Sequence, residues 1–304
     1  KDTLSLHDAL PISIDPLPDG SVALTDMEHE RVAVVENGSV VWEWHASSFY
    51  TPPDDPSKRD WLHINDVEYV GSDRFLVSVR NANQLLVVER GDGVVEVINE
   101  DRSDADDEAC LGSRQLVPDE SGDVRCGDPD VLDHQHNPQW LGDGAVLVAD
   151  SSNDRVVELH RQNGTWQPAW ALYEAGNVRF HWPRDADRLP NGNTLITDTI
   201  NGRLVEVDAN GTLVWSMSTA RTPYEGDRLP VGESVGAPIH GDPGEAIEGP
   251  EDGIALLSTV TFAAHAAFPA LPFWIGELQV LSVVVGAVLV LVGAVDWVWQ
   301  RLRD

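Results

Sequence analysis

Between residues 14 and 217 the apolar positions fall in short runs broken by turn formers. The clearest stretch is Trp61–Glu89, WLHINDVEYVGSDRFLVSVRNANQLLVVE. A His opens it, a short loop follows, and an apolar strand ends on Arg80. The same order returns in HQHNPQWLGDGAVLVADSSNDRVVELH (134–160) and HWPRDADRLPNGNTLITDTINGRLVEVD (181–208). A version without the His precedes them, PLPDGSVALTDMEHERVAVVE (16–36). Such self-similarity sets the fold.

Aligning the strand ends at Asp26, Arg80, Asp150 and Asp198 places His29, Asn83, Asn153 and Asn201 three residues after each. A second strand then begins: RVAVVE, LLVVE, RVVELH, RLVEVD. In three repeats the next turn is Asn-Gly (Asn37-Gly38, Asn163-Gly164, Asn210-Gly211). That pair supplies the positive φ angles of a tight hairpin. A Trp-bearing strand follows: VVWEW, WQPAWAL, LVWSM. The strand ends are 54, 70 and 48 residues apart, so the shortest spacing is the unit and the excess is loop. Short strands at this period predict an all-β fold, a β-propeller whose blades hold about four strands. Four blades are visible, within residues 14–219. A β-sandwich with coincidental similarity is the alternative.

The flanks read differently. KDTLSLHDALPIS (1–13) matches no blade, starts without Met or a signal peptide, and resembles translated sequencing-adapter DNA. It is expected to be a non-native leader, with native residues missing upstream, so His7 takes no role. Residues 47–60 form a Pro/Asp-rich connection, and residues 101–132 an acidic insert holding Cys110 and Cys126. Two cysteines without CxxC spacing make a poor zinc site. A disulfide closing a long loop outside the cell fits better; two free thiols are the alternative. Residues 220–252 read as a Pro/Gly-rich linker and 253–304 as a membrane anchor. Its span, about 275–296, includes Ile275–Val295, long enough for roughly 30 Å of hydrocarbon. Phe273, Trp274, Trp297 and Trp299 sit at its ends as an aromatic belt. Arg301 and Arg303 predict a cytoplasmic C-terminus, which puts the propeller on the extracellular side of the cell membrane. Residues 253–270 are an interfacial helix or a second span, and a second span would reverse that orientation.

Composition changes the picture in one respect. The net charge is −31 with 51 acids, and lysine occurs only at Lys1 and Lys58. Nucleic acid, which needs a basic footprint, is excluded as a partner. Acids spread through every loop with almost no lysine point to an extreme halophile, whose surface charge molar salt screens. A cation-binding surface is the alternative.

Equivalent positions in successive blades ring one axis. His63, His134 or His136, and His181 open their blades, 17, 16 or 14, and 17 residues before Arg80, Asp150 and Asp198. Arg80 stands where the other repeats carry Asp. An Arg offers a planar fork to sulfate, phosphate or carboxylate. A neutral imidazole can act as nucleophile and a second as acid or base. Trp61, Trp140 and Trp182 lie within four residues of these histidines, where they can stack on an aromatic ring. Each residue has a plainer reading: a structural hydrogen-bonder at a blade entrance, or Arg80 tying blades through Asp66. A His-ligated metal is the rival chemistry. His45, His160, His240 and His265 fit no register. The Asn-Gly turns are also glycosylation sequons.

At HINDVEYVGSDRFLVSVRNANQLLVVE and HQHNPQWLGDGAVLVADSSN the chain resembles the arylsulfotransferase family, over about residues 61–217. The resemblance implies a six-bladed propeller, with two further blades upstream. It implies transfer of a sulfuryl group from an aryl sulfate to a phenol without a nucleotide donor; no cofactor or metal is expected. One channel His carries the group covalently. His63 and Arg80 match the sulfate-binding pair and His136 the nucleophile, with His134 as its substitute. Asn65, in the His-x-Asn opening, joins the substrate-binding set; so do His181, which fits the register but no family motif, and Trp140, placed to stack on an aromatic ring. The Cys pair ahead of His136 is also reminiscent of the family. One further family His has no counterpart here, and soluble members lack a membrane anchor. The rival expectation is a non-enzymatic, membrane-anchored propeller binding a cell-surface ligand or protein, with its histidines scattered. The sequence gives no oligomeric state.

Overall fold

The computed structural model describes residues 12–56, 60–101, 110–111, 116–142, 144–219, 221–230, 232, 235–241 and nine positions between 279 and 293. The strands build four four-stranded antiparallel sheets, each wound in chain order, an all-β and β-propeller-like architecture. The first holds β1 (Ile14–Pro16), β2 (Val22–Asp26), β3 (Arg31–Glu36) and β4 (Ser39–His45). The second holds β5 (Ile64–Gly71), β6 (Arg74–Val79), β7 (Gln84–Glu89) and β8 (Gly93–Ile98). The third holds β9 (His136–Gly142), β10 (Ala145–Asp150), β11 (Arg155–Gln162) and β12 (Thr165–Leu172). A short ribbon, β13 (Glu174–Ala175) and β14 (Val178–Arg179), leads into β15 (Pro183–Arg188), β16 (Thr194–Asp198), β17 (Arg203–Val207) and β18 (Leu213–Ser218).

Alternation along the middle strands makes the packing. Phe75 and Val77 of β6 enter a core shared with Val32, Val34 and Trp44 of the first sheet. Leu76, between them, faces the opposite way, into a core with Val146 and Val148 of the third sheet. Leu147 and Ala149 of β10 enter a core with Ala186, Ile196 and Val205 of the fourth. The second and third sheets therefore bury both faces against neighbouring sheets, as strand geometry allows when apolar residues occupy both parities.

The hairpin turns follow the sequence at two of three Asn-Gly pairs. Asn37-Gly38 and Asn163-Gly164 have φ of 51° and 77°, and 53° and 83°. At the third pair only Gly211 is left-handed, at 76°. There Asp208 Oδ1 accepts the N–H groups of Asn210 and Thr212, which widens the turn.

The middle hairpins also correct the register. Asp26 pairs with Arg31, Asp150 with Arg155 and Asp198 with Arg203, and the equivalent pair in the second sheet is Val79 with Gln84. Arg80 therefore lies one residue beyond the repeat's Asp position. The three Asp–Arg pairs are a recurring clasp. Asp198 Oδ2 accepts Arg203 Nε (2.6 Å) and Asn201 Nδ2 (2.8 Å), while Oδ1 accepts the His181 N–H (2.9 Å). Asp150 does the same with Arg155, Asn153 and the Asp133 N–H. The guanidinium then reaches carbonyls of the preceding loop, Ala175 and Val178 for Arg203.

The first strands are polar, those of the second, third and fourth sheets are largely buried, and they tie sheet to sheet. Asp15 opposes Ala23, Glu68 Leu76, Gln139 Leu147 and Asp187 Leu195, so the four are repeat equivalents. Asp15 accepts the Tyr69 N–H (2.6 Å), Glu68 that of Trp140 (2.7 Å) and Gln139 that of Arg188 (2.6 Å). Asp187 receives no such N–H among the described residues. Ser13, placed by sequence in the leader, joins this ladder through Asp66 (2.6 Å) and Thr25; residues 1–11 lie outside the described residues.

Cys110 and Cys126 form a disulfide, both fully buried in the core between the first two sheets. The described part of 220–252 is held on the sheets and is no loose spacer. Gly226 N–H donates to Asp185, Gly236 N–H to the Trp140 carbonyl, and the N–H groups of His240 and Gly241 to Glu158. A Cβ on Gly241 would stand 2.6 Å from the Ala169 backbone, so this strap needs glycine to approach the third sheet. Most of the predicted span 275–296 lies outside the described residues, as does 253–270; the described positions from 279 to 293 are helical. Among the described residues no helix is long and apolar enough to cross a membrane.

Candidate functional site

The first strands fix which residues share a position. Counting back from Glu68, Gln139 and Asp187 makes Asn65, His136 and Arg184 equivalent, each at or beside an irregularity in strand pairing. Two residues earlier stand His63, His134 and Trp182, all left-handed, with φ of 53°, 51° and 52°. This backbone conformation is costly for residues with a Cβ. Its recurrence at one repeat position turns the chain into β5, β9 and β15 the same way. His181, which the sequence placed with His63, is instead the equivalent of Leu62 and Asp133. All three give their N–H to a carboxylate, the clasp residues Asp150 and Asp198 for Asp133 and His181 and Glu30 for Leu62. Trp182 occupies the place expected for His181.

His136 is 1% exposed. Its Nδ1 lies 3.0 Å from the His134 carbonyl oxygen and 2.8 Å from Ser151 Oγ. The carbonyl can only accept, and Ser151 Oγ gives its own proton to the Pro183 carbonyl (2.6 Å). Nδ1 therefore carries the imidazole proton and the lone pair is on Nε2. Burial, and then the charges of Arg184, Arg80 and His63, hold its pKa well below the usual histidine range. The ring is neutral at neutral pH, the form a nucleophile requires.

Arg80 arrives by the loss of a clasp. With Val79 in the Asp position, residues Arg80–Ala82 form a 3-10 turn closed by left-handed Asn83. Asn81 Nδ2 donates to the carbonyls of Asp60 and Trp61, and its Oδ1 accepts from Arg80 Nε and Nη2 (3.2 Å each). Glu30 supplies the missing carboxylate, taking the N–H groups of Leu62, His63 and Ile64. Burial raises Glu30 to about 7. His63 Nδ1 rests on the Asp60 carboxylate. The charges of Arg80 and His63 both act on the His136 ring.

The other candidates divide. Asn65 Nδ2 donates to the Gln135 carbonyl (2.8 Å), and its buried Oδ1 has no partner among the described residues. His134 Nδ1 contacts Asp133 and Ser152 at 3.1 Å, and its ring lies 6.0 Å from Trp182. His181 faces Asp154 at 3.6 Å. Trp140 is part of the core between the second and third sheets, 6.1 Å from Trp166, and Trp61 is buried in the core between the first two. Their size and apolarity are used in packing.

Sequence reasoning missed Arg184 and Tyr224. Arg184 was legible from the spacing to Asp187, had the first strands been aligned in place of the strand ends. Tyr224 lies in the aperiodic strap and carries no sequence signal. Its ring stands edge-on to His136 at 5.8 Å, under the Arg184 guanidinium at 5.0 Å. Beyond these groups lies an acidic cavity of about 310 Å³ lined by Asp15, Asp66, Asp185, Asp187, Glu225 and Asp227. Burial raises Asp66 and Asp185 to about 7. Among the described residues no His, Cys, Asp and Glu group is arranged to hold a metal ion.

Residues 22–168 match the family model Arylsulfotransferase (ASST), a segment that contains His63, Arg80 and His136. No curated protein matches the chain. Among solved structures, a streptogramin B lyase is similar at 15% identity and a TM-score of 0.44, over 71% of this chain and 57% of that one. A catalytically inactive virginiamycin B lyase from Staphylococcus aureus, with quinupristin, is similar at 12% identity and 0.43, over 73% and 59%. A protein of unknown function from Bacteroides caccae is similar at 15% and 0.46, over 70% and 68%. The chain spans under three fifths of the length of the two lyases. These likenesses carry no functional argument.

Proposed function

We propose that the chain is the core of a nucleotide-independent arylsulfate sulfotransferase working through a sulfohistidine at His136. One observation carries this reading: a buried, neutral imidazole with its proton fixed on Nδ1, its Nε2 lone pair available, and two guanidinium groups acting on it. The family match over 22–168 supports it.

In the first half-reaction the Nε2 lone pair forms a bond to sulfur while the S–O bond to the aryl group breaks. The phenolate leaves with that electron pair. In the second half-reaction an acceptor phenol loses its proton to a base and its oxygen attacks sulfur. The N–S bond breaks and the pair returns to Nε2. Arg80 balances charge on the sulfuryl oxygens, and Asn65 borders the same position. His63, oriented by Asp60, exchanges protons with the two phenols. The residues supply both the nucleophile and the charge, so the proposal needs no cofactor. The Cys110–Cys126 disulfide supports an oxidising compartment, in keeping with a site outside the cytoplasm.

The test is turnover of a chromogenic aryl sulfate with an acceptor phenol. Release of the donor phenol that depends on acceptor and is abolished in His136→Ala supports the proposal. Turnover unchanged in His136→Ala removes it.

A further inference from the structure

We propose that Arg184 and Tyr224 form the second half of the anion site, gripping the sulfuryl oxygens from the side opposite Arg80. The proposal rests on the sulfuryl-transfer reading only for the identity of the anion. Three independent observations lead to it.

The first is position. Arg184 is the repeat equivalent of His136 and of Asn65. Symmetry carries equivalent residues of adjacent sheets to one end of the axis, and β15 packs directly beside β9. Among the charges that act on His136, that of Arg184 is the largest, ahead of Arg80.

The second is hydrogen bonding. Buried donors normally have acceptors. Arg184 Nε and Tyr224 Oη are both buried without a partner among the described residues. They are joined through the guanidinium stacked on the Tyr224 ring, whose edge meets His136. Two donors lacking acceptors therefore stand beside a neutral nitrogen nucleophile. A tetrahedral oxyanion bonded to or leaving Nε2 offers the oxygens they lack.

The third is construction. The strap that brings Tyr224 is pinned on both sides of it by unrelated contacts. Gly226 N–H donates to Asp185 (3.0 Å), one residue from Arg184. Arg228 pairs with Glu206 and lies over Trp215 at 5.2 Å. Thr219 N–H donates to the Gly202 carbonyl (2.7 Å) at the start of the strap. The chain thus commits its post-sheet segment to holding one tyrosine against the reactive imidazole.

Arg184→Met, Arg184→Lys and Tyr224→Phe in the full-length chain test the proposal. Inorganic sulfate is the probe, and its binding is followed by calorimetry. The His136 ring is followed by its NMR titration, and folding by thermal melting. The expected result is sulfate binding weakened at least about tenfold in Arg184→Met and about threefold to fivefold in Tyr224→Phe. Arg184→Lys should recover only part of the loss, because an ammonium lacks the planar fork. The His136 titration should rise in Arg184→Met and stay near the parent value in Arg184→Lys, a change that mere loss of packing would not produce. Sulfate affinity equal to the parent's in folded Arg184→Met, or a parent chain that does not bind sulfate, overturns the proposal. A parent that binds sulfate through Arg184 but never forms a covalent adduct leaves this site standing and sinks only the sulfotransferase reading.

Discussion

Ser151 Oγ accepts the Nδ1 proton of His136 at 2.8 Å and donates its own to the Pro183 carbonyl at 2.6 Å. Ser151 and Pro183 belong to neighbouring sheets, so the third and fourth sheets together set the tautomer of the reactive ring. Ser151→Ala removes one of two acceptors and leaves the His134 carbonyl. The expected outcome is a folded protein whose sulfuryl transfer falls about fivefold, one hydrogen bond's worth. Steady-state rates with a fixed donor check this.

The clasp is a recurring polar support of the first, third and fourth sheets. Asp198 and Arg203 are both wholly buried. Asp198→Asn leaves the guanidinium without its counter-charge and costs about 3 kcal/mol or more of stability. Denaturant unfolding of the purified variant measures it. Exposed pairs such as Arg161 with Glu96 should be worth under about 1 kcal/mol by the same assay.

The inter-sheet ladder yields a prediction about pH. Burial, and then Asp185, Asp227, Glu225 and Glu68, push Asp187 well above the usual carboxylate range. A group raised in the folded state holds its proton more tightly there than when unfolded. Its contribution is complete below its unfolded pKa, near 4, and is lost as pH rises through its folded value. Asp66 and Asp185, raised to about 7, act in the same sense. His136 and His240, both depressed by burial, act in the opposite sense, as two groups against several. The melting temperature should therefore fall as pH rises from about 4 to 8. Asp187→Asn should raise stability at pH 8 and change it little at pH 4. Gln139→Ala, whose side chain does receive an N–H, should destabilise at both.

Reduction of Cys110–Cys126 opens a loop with a sequence separation of 16. Loops of this size lose about 3 kcal/mol of stabilisation when the bridge is removed. Unfolding midpoints with and without reductant give the difference. The double Cys→Ser variant should match the reduced protein.

Much of the architecture was legible because it repeats. The middle strands, two Asn-Gly hairpins and the disulfide follow from residues whose chemistry is local. The register of the second sheet was misread because Val79 replaces the clasp Asp and Arg80, next to it, mimics the polar strand end. That slip also carried His181 into a ring that Trp182 occupies. Trp140 looked available for a ligand because nothing in the sequence shows that it fills the space between two sheets. Tyr224 could not be found: its position depends on a strap fixed by backbone N–H groups donating to Asp185 and Glu158, and backbone donors leave no mark in a sequence. Arg184 was within reach through the polar first strands, whose Asp15, Glu68, Gln139 and Asp187 step is chemically looser than a Gly or Asn signature.

The central claim concerns one nitrogen atom. Incubation of the protein with an aryl sulfate and no acceptor, followed by rapid quenching at alkaline pH and mass spectrometry of peptides, tests it most directly. The account predicts one sulfuryl group on the peptide containing His136, discharged when a phenol is added and absent in His136→Ala. Turnover with His136 unmodified at every time point, or an adduct that persists in His136→Ala, would contradict it.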